Sequence, residues 1–173
     1  SPYGVCKAFC VQMGKVYRSG YGMHVSNGIL YNHESPRRGE NFVTQKIIRG
    51  AASIAQGKTQ FLELGNLDIE RDWGYAPDYV LGMWMMLQQE QADDYILATG
   101  KRHKLSDFLQ LSFKYFGLDH QKHIRINPKF VRPNEPVQLC GDSSKAQNIL
   151  GWKPSVPFEQ IIKSMCEAAE NGN

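Results

Sequence analysis

The chain has 173 residues, 42% of them apolar and 21% charged, with 20 Lys and Arg against 17 Asp and Glu for a formal net charge of +3. That length supports a single domain with a sizeable core, and the composition is ordinary for a soluble globular protein. The charge is too balanced to bind nucleic acid by charge alone, and no run approaches the roughly twenty apolar residues of a membrane span.

Ser1-Pro2 ahead of Tyr3-Gly4-Val5-Cys6-Lys7 reads as the start of a helix over about 3–19, with proline in the first turn. Tyr3 and Lys7 are then i and i+4, on one face. An ammonium beside a phenol favours the phenolate, so such a tyrosine can serve as acid or base. The spacing alone is common by chance, and its position ahead of the next motif gives it weight. The run Val25 to Tyr31 predicts a buried strand over 24–31. It leads into Asn32-His33-Glu34-Ser35-Pro36-Arg37-Arg38-Gly39, which concentrates an imidazole, a carboxylate, two guanidiniums and an amide. Folding alone gives no reason for such a loop, and α/β folds place ligand sites at strand ends. The competing reading is a solvated basic turn.

Helical spacing of Val43, Ile47, Ile48, Ala51, Ala52, Ile54 and Ala55 predicts a second helix near 41–56. Gln60 to Leu64 alternates like a half-buried strand that Gly65-Asn66 turns, and Ile69 to Trp73 reads as another short strand. Pro77 opens a helix whose stripe of Tyr79, Val80, Met83, Trp84 and Leu87 is expected to pack in the core. Tyr95 to Ala98 reads as a strand and Leu105 to Phe116 as an amphipathic helix, with Lys104 where a capping Ser or Asp is expected. His120 to Arg125 alternates like an edge strand. Asp142-Ser143-Ser144 caps a helix that stops at Gly151, and Phe158 to Ala169 forms the last helix. Alternating helices and strands predict an α/β protein. Cys6, Cys10, Cys140 and Cys166 match no zinc spacing, so no metal is expected. They read as reduced, small buried hydrophobes in a cytosolic setting. A signal peptide is not recognisable, and a chain opening inside a helix without Met suggests a fragment.

Ser1-Pro2-Tyr3-x-x-x-Lys7, the strand ending at Asn32, and Gly141-Asp142…Lys145-Ala146…Leu150-Gly151-Trp152-Lys153-Pro154 resemble the extended short-chain dehydrogenase/reductases that act on nucleotide sugars. Asn32 to Gly39, Asn41-Phe-Val-Thr44, Gly65-Asn-Leu-Asp68, Arg71-Asp-Trp-Gly74 and Arg132-Pro133-x-Glu135 are similar to the GDP-mannose 4,6-dehydratases within them. The resemblance implies the C-terminal part of a Rossmann-type enzyme with its smaller substrate-binding domain. Residues 1–40 would end the cofactor-binding part, and about 41–173 would mainly bind nucleotide sugar. It also implies dehydration of GDP-mannose to GDP-4-keto-6-deoxymannose with recycled NADP, in a dimer or tetramer of the full-length, cytoplasmic protein.

On that resemblance Tyr3 is the base for the sugar C4 hydroxyl. Lys7 lowers its pKa and binds the nicotinamide ribose. His33 and Arg38 contact the cofactor, and Asn32, Val43, Lys46, Arg71, Arg132 and Glu135 bind the nucleotide sugar. The chemistry is consistent, since a diphosphate needs several cations, and Glu135 can accept from a ribose or guanine edge. The family's Gly-rich loop, Thr and acid/base Glu precede the tyrosine and have no counterpart here, so the chain alone is expected to be inactive. Gly4 and Cys6 stand where alanines are expected, and the stretch from Gly117 to Val131 looks short. Alternatives are a reductase or epimerase of a related GDP-sugar, or a non-catalytic nucleotide-sugar-binding module.

Overall fold

The computed structural model describes residues 1–131 and 138–172. Helix α1 spans Pro2–Tyr21. Ser1 caps it, its Oγ accepting from the Gly4 amide at 3.1 Å, and Gly22 ends it at φ 63°. In chain order there follow β1 (Gly28–Leu30), β2 (Asn32–Glu34), α2 (Val43–Ala55), β3 (Leu62–Leu64), β4 (Glu70–Arg71), β5 (Trp73–Tyr75) and α3 (Ala76–Leu87). The chain continues through β6 (Tyr95–Leu97), β7 (His103–Lys104), α4 (Leu105–Tyr115), β8 (Ile124–Ile126), α5 (Ser144–Leu150) and α6 (Phe158–Glu170). Asp107 accepts from the Lys104 amide at 3.4 Å, which starts α4 although Lys104 offers no capping oxygen.

The strands pair two by two. β1 lies parallel to β6, β2 to β5 and β3 to β8, while β4 and β7 are antiparallel. Parallel pairs require long crossovers, and here helices supply them. The architecture is α/β, as the alternation of elements predicts.

Two apolar clusters hold these pairs. The larger joins α2, α4 and α6 through Ile47, Ile48, Leu109, Phe113, Ile161 and Ile162, with Trp73 of β5 in a three-ring cluster with Phe108 and Phe158. Burying each such side chain is worth about 1.5–3 kcal/mol against exposure. The smaller joins α3, β6 and α5 through Tyr79, Met86, Leu97 and Trp152, with Leu30 of β1 against it. The two clusters therefore draw on interleaved stretches of chain. No described helix is long and apolar enough to cross a membrane.

Four expectations change. The strand after α1 is not buried: only Gly28–Leu30 pairs with β6, and Ile29 is 42% exposed because its side chain joins neither apolar cluster. The stripe on α3 faces outward except for Tyr79, with Trp84 58% exposed. Trp152 Nε1 donates to Asp78 O at 2.7 Å, and Asp78 accepts from the Ser155 amide and hydroxyl, which turns the ridge of Asp78, Tyr79, Gly82 and Met86 inward. A Cβ on Gly82 would stand 2.5 Å from Leu97, so that ridge sits close against β6. The edge strand expected at His120 to Arg125 is a 3₁₀ turn at His120–Lys122 followed by β8. Among the cysteines only Cys166 is buried, since Cys6 and Cys10 lie on an uncovered face of α1 and Cys140 in an exposed segment.

Candidate active site

Tyr3 and Lys7 share a face of α1, with Lys7 Nζ 5.5 Å from the Tyr3 ring centroid. The opposite end of the helix is pinned to the strands. Arg18 donates to Val25 O at 2.9 Å, and further up the helix Asn27 Nδ2 donates to Val11 O at 3.3 Å. Moving back along α1 thus moves forward along the chain that becomes β1, so helix and strand are antiparallel. At a rise of about 1.5 Å per helical residue and 3.3 Å per strand residue, the two anchors bring Lys7 level with about Ile29 to Leu30 and Tyr3 with about Tyr31 to Asn32. The pair stands where β1 ends and the polar motif begins, the usual ligand position of an α/β sheet.

The first three residues of that motif are a strand rather than a loop. In β2, Asn32 lies opposite Trp73 and His33 opposite Gly74. A Cβ on Gly74 would stand 2.4 Å from Tyr79, so glycine admits the tyrosine ring beneath β2. The His33 ring rests on Tyr79 at 5.0 Å, and its Nδ1 donates to Tyr31 O at 2.8 Å. A carbonyl only accepts, so Nδ1 carries the proton.

Glu34 points the other way and is buried, 1% exposed. Thr44 Oγ1 donates to its Oε2 at 2.7 Å, and Arg38 Nε lies 3.2 Å from the same oxygen. Burial pushes the Glu34 carboxyl up to about 7, against the opposing pull of Arg38 and Thr44. The Arg38 guanidinium also lies over the Phe42 ring at 3.5 Å.

The nucleotide-sugar candidates divide. Val43 packs against the larger apolar cluster from the first turn of α2. Lys46 projects from the same helix, its Nζ 4.0 Å over the Phe130 ring. Gly65 lets that aromatic approach, since a Cβ there would stand 2.6 Å from Phe130 O. Arg71 is buried in β4, opposite His103, and its Nη1 donates to Glu70 O at 2.8 Å. Arg132 and Glu135 lie outside the described residues.

Beside Arg71, Asp72 separates β4 from β5. Its carboxylate accepts from Thr99 N and Oγ1, Gly100 N and Gly141 N, at 2.7 to 3.3 Å. It thereby ties the end of β6 and the segment before α5 to the strand carrying Arg71. No group of three His, Cys, Asp or Glu side chains among the described residues could hold a metal ion.

Asn32 and His33 lie on β2 and Arg38 just after it, Val43 and Lys46 lie on the helix that follows, and the antiparallel run of α1 brings Tyr3 and Lys7 level with the end of β1. Sequence reasoning missed Glu34, Thr44, Phe42, Asp72 and Phe130 as the side chains that hold these residues in place. A signal existed for the first: a carboxylate sharing eight residues with two arginines is a candidate ion pair. For Asp72 there was none, because its partners are 27 to 69 residues away.

Solved structures share this fold. RMD from Pseudomonas aeruginosa complexed with NADPH superposes with a TM-score of 0.82 at 21% identity, covering 96% of this chain and 53% of that one. A dTDP-glucose 4,6-dehydratase from Bacillus anthracis in complex with NAD reaches 0.85 at 18% identity, over 99% of this chain and 52% of the other. In sequence, GDP-mannose 4,6 dehydratase 1 of Arabidopsis thaliana is 50% identical, covering 96% of this chain and 46% of its own length. The human GDP-mannose 4,6 dehydratase is 40% identical, over 97% of this chain and 50% of its own length. The chain spans about half the length of the curated relatives it matches. The profile of the family "GDP-mannose 4,6 dehydratase" matches residues 1–165. On that match, and on relatives 40–50% identical along nearly all of it, this chain belongs to the GDP-mannose 4,6-dehydratase family, built on the extended short-chain dehydrogenase/reductase fold.

Proposed function

We propose that the chain supplies the catalytic Tyr-Lys pair and most of the nucleotide-sugar site of an enzyme that dehydrates GDP-mannose to GDP-4-keto-6-deoxymannose. The observation that carries this is the antiparallel run of α1 against β1, which sets Tyr3 level with the polar motif. Residues 1–40 belong on this reading to the cofactor-binding part and the chain from about 41 mainly to the nucleotide-sugar part. α3, β6 and α5 return to the first, as their packing on Leu30 supports.

The donor set suits NADP, the cofactor of this reading. Arg38 keeps its terminal nitrogens without a hydrogen bond to any described residue, and Lys7 is exposed beside Tyr3. NADP supplies the acceptor and donor of the hydride exchanged with the sugar. Tyr3, reacting as the phenolate, takes the proton of the C4 hydroxyl and becomes the phenol, while Lys7 faces the phenolate charge and holds the nicotinamide ribose. His33 and Arg38 hold the cofactor. Lys46, Arg71 and Arg132 neutralise the GDP diphosphate, with Asn32, Val43 and Glu135 completing the pocket. Loss of water across C5 and C6 needs a further acid/base outside this chain, so the 173 residues alone do not turn over. The working protein is a cytoplasmic dimer or tetramer.

Mass spectrometry of GDP-mannose incubated with the full-length protein tests this. A product lighter by one water is expected. A product of unchanged mass with stereochemistry altered by NMR makes the enzyme an epimerase, and a gain of two hydrogens by a GDP-keto-sugar supplied with NADPH in place of GDP-mannose makes it a reductase.

A further inference from the structure

Glu34 Oε1, Arg38 Nε, Gln45 Oε1 and the Tyr79 hydroxyl are buried without a hydrogen-bond partner among the described residues. The first two belong to one ion pair at the start of the polar motif. Burying a carboxylate there costs free energy, so its retention asks for a function.

The geometry around it is directional. Thr44 fixes Oε2 from the first turn of α2, at 2.7 Å. Arg38 turns its Nε edge toward that oxygen, and one guanidinium face lies on Phe42. One edge and one face are thereby taken. The two terminal nitrogens are neither buried nor hydrogen-bonded to a described residue, and they form the fork that matches two oxygens of a phosphate.

We propose that Glu34 is a positioning residue for a phosphate contact of Arg38: held by Thr44, its carboxylate orients the guanidinium so that both terminal nitrogens meet the same cofactor phosphate. This rests on the reading of Arg38 as a cofactor contact. A guanidinium already ordered loses less entropy on binding than a free one. Thr44 stands between Val43 and Lys46 in α2, so the same carboxylate also couples the nucleotide-sugar helix to the cofactor arm.

The groups around Glu34 are Arg38 and His33 from its own segment, Tyr75 opposite it on β5, Thr44 from α2, and Tyr79 from α3. Asp72 and Asp78 lie beyond Tyr79 and, after burial itself, raise its hydroxyl together with Glu34. Burial sets the Glu34 carboxyl near 7, so the orienting charge is complete at about pH 8 and fades at about pH 6.

The test is NADPH affinity of the full-length protein, followed by fluorescence titration between about pH 6 and pH 8.5, for Glu34→Gln, Arg38→Ala and the double variant. Gln keeps an acceptor for Thr44 and removes the charge. At about pH 8, Glu34→Gln is expected to weaken NADPH binding about fivefold to tenfold with no loss of thermal stability. It should add nothing to Arg38→Ala, and its gap from the parent should close toward about pH 6. Unchanged or tighter binding by Glu34→Gln overturns the proposal, as does a loss that persists in the Arg38→Ala background or accompanies a fall in Tm. If Arg38→Ala itself leaves NADPH affinity unchanged, the reading of Arg38 as a cofactor contact fails and the proposal falls with it.

Discussion

Arg18 Nη1 and Asp94 Oδ1 lie 2.8 Å apart, joining the last turn of α1 to the residue before β6. Asn27 Nδ2 donates to the same oxygen at 2.7 Å, so one carboxylate gathers the helix, the approach to β1 and the approach to β6. Only Gly14 of α1 is buried, so these polar contacts, not an apolar face, set where its other end carries Tyr3.

Asp94→Asn should therefore loosen α1. Burial alone would raise the Asp94 carboxyl, but the hydrogen bonds from Arg18 and Asn27 and the charges of Arg18 and Lys15 outweigh it and hold it below the usual range. A group with a depressed folded pKa contributes stability above its unfolded value of about 3.9 and loses it as pH falls through the depressed one. The expected loss is about 1–3 kcal/mol at neutral pH and shrinks as pH falls below the ordinary carboxylate range. Thermal unfolding of the 173-residue chain at neutral and at acidic pH decides it, and a pH-independent difference would count against the pin.

Glu34 predicts the opposite slope. Its folded carboxyl is raised to about 7 by burial, so its contribution to stability is complete below the ordinary carboxylate value and lost as pH rises through about 7. Glu34→Gln should flatten that decline and equal or exceed the parent at about pH 8. Chemical denaturation at about pH 5 and pH 8 measures it, and parallel profiles for the two proteins would refute the assignment.

The two sides of the helical packing should respond differently. Leu109 is fully buried in α4, and Leu109→Ala is expected to cost about 2–5 kcal/mol. Leu87 is exposed at the end of α3, and Leu87→Ala should stay within about 0.5 kcal/mol in the 173-residue chain. Denaturant midpoints distinguish them. A large cost at Leu87 would restore the core role that its helical spacing predicts.

Tyr3→Phe in the full-length enzyme should lower turnover about a hundredfold or more and leave GDP-mannose affinity nearly intact. Steady-state kinetics beside calorimetric titration separates the two effects. Undiminished turnover would reduce Tyr3 to a bystander on an exposed helix.

Thiol titration of the 173-residue chain should find three reactive cysteines and one protected. Cys6 and Cys10 are exposed on α1. Cys140 is exposed too, but burial and then the charge of Asp72 raise its thiol, so it should react more slowly. Cys166 is buried, its thiol pushed up to about 12 chiefly by burial, and should react only on unfolding. A fourth fast thiol in the folded chain would contradict the packing of α6.

Local pattern determined much of this protein. The spacing of Ile47, Ile48, Ala51 and Ala52, the turn at Gly151 and the alternation of Leu62, Glu63 and Leu64 depend on neighbours within a turn or a pleat, and they mark α2, the end of α5 and β3 where the structure has them. The Tyr3–Lys7 face and the polar motif were likewise legible, because i,i+4 spacing and residue chemistry are local. What the tertiary structure alone decided depends on which surfaces meet. The outward stripe of α3 follows from Trp152 and Ser155 seizing Asp78 more than seventy residues away. The hub at Asp72 needs donors from Thr99, Gly100 and Gly141 to converge, and Glu34 is buried because Thr44 folds over it from α2. Periodicity carries no information about such long-range partners, whereas burial and hydrogen bonding consist of little else.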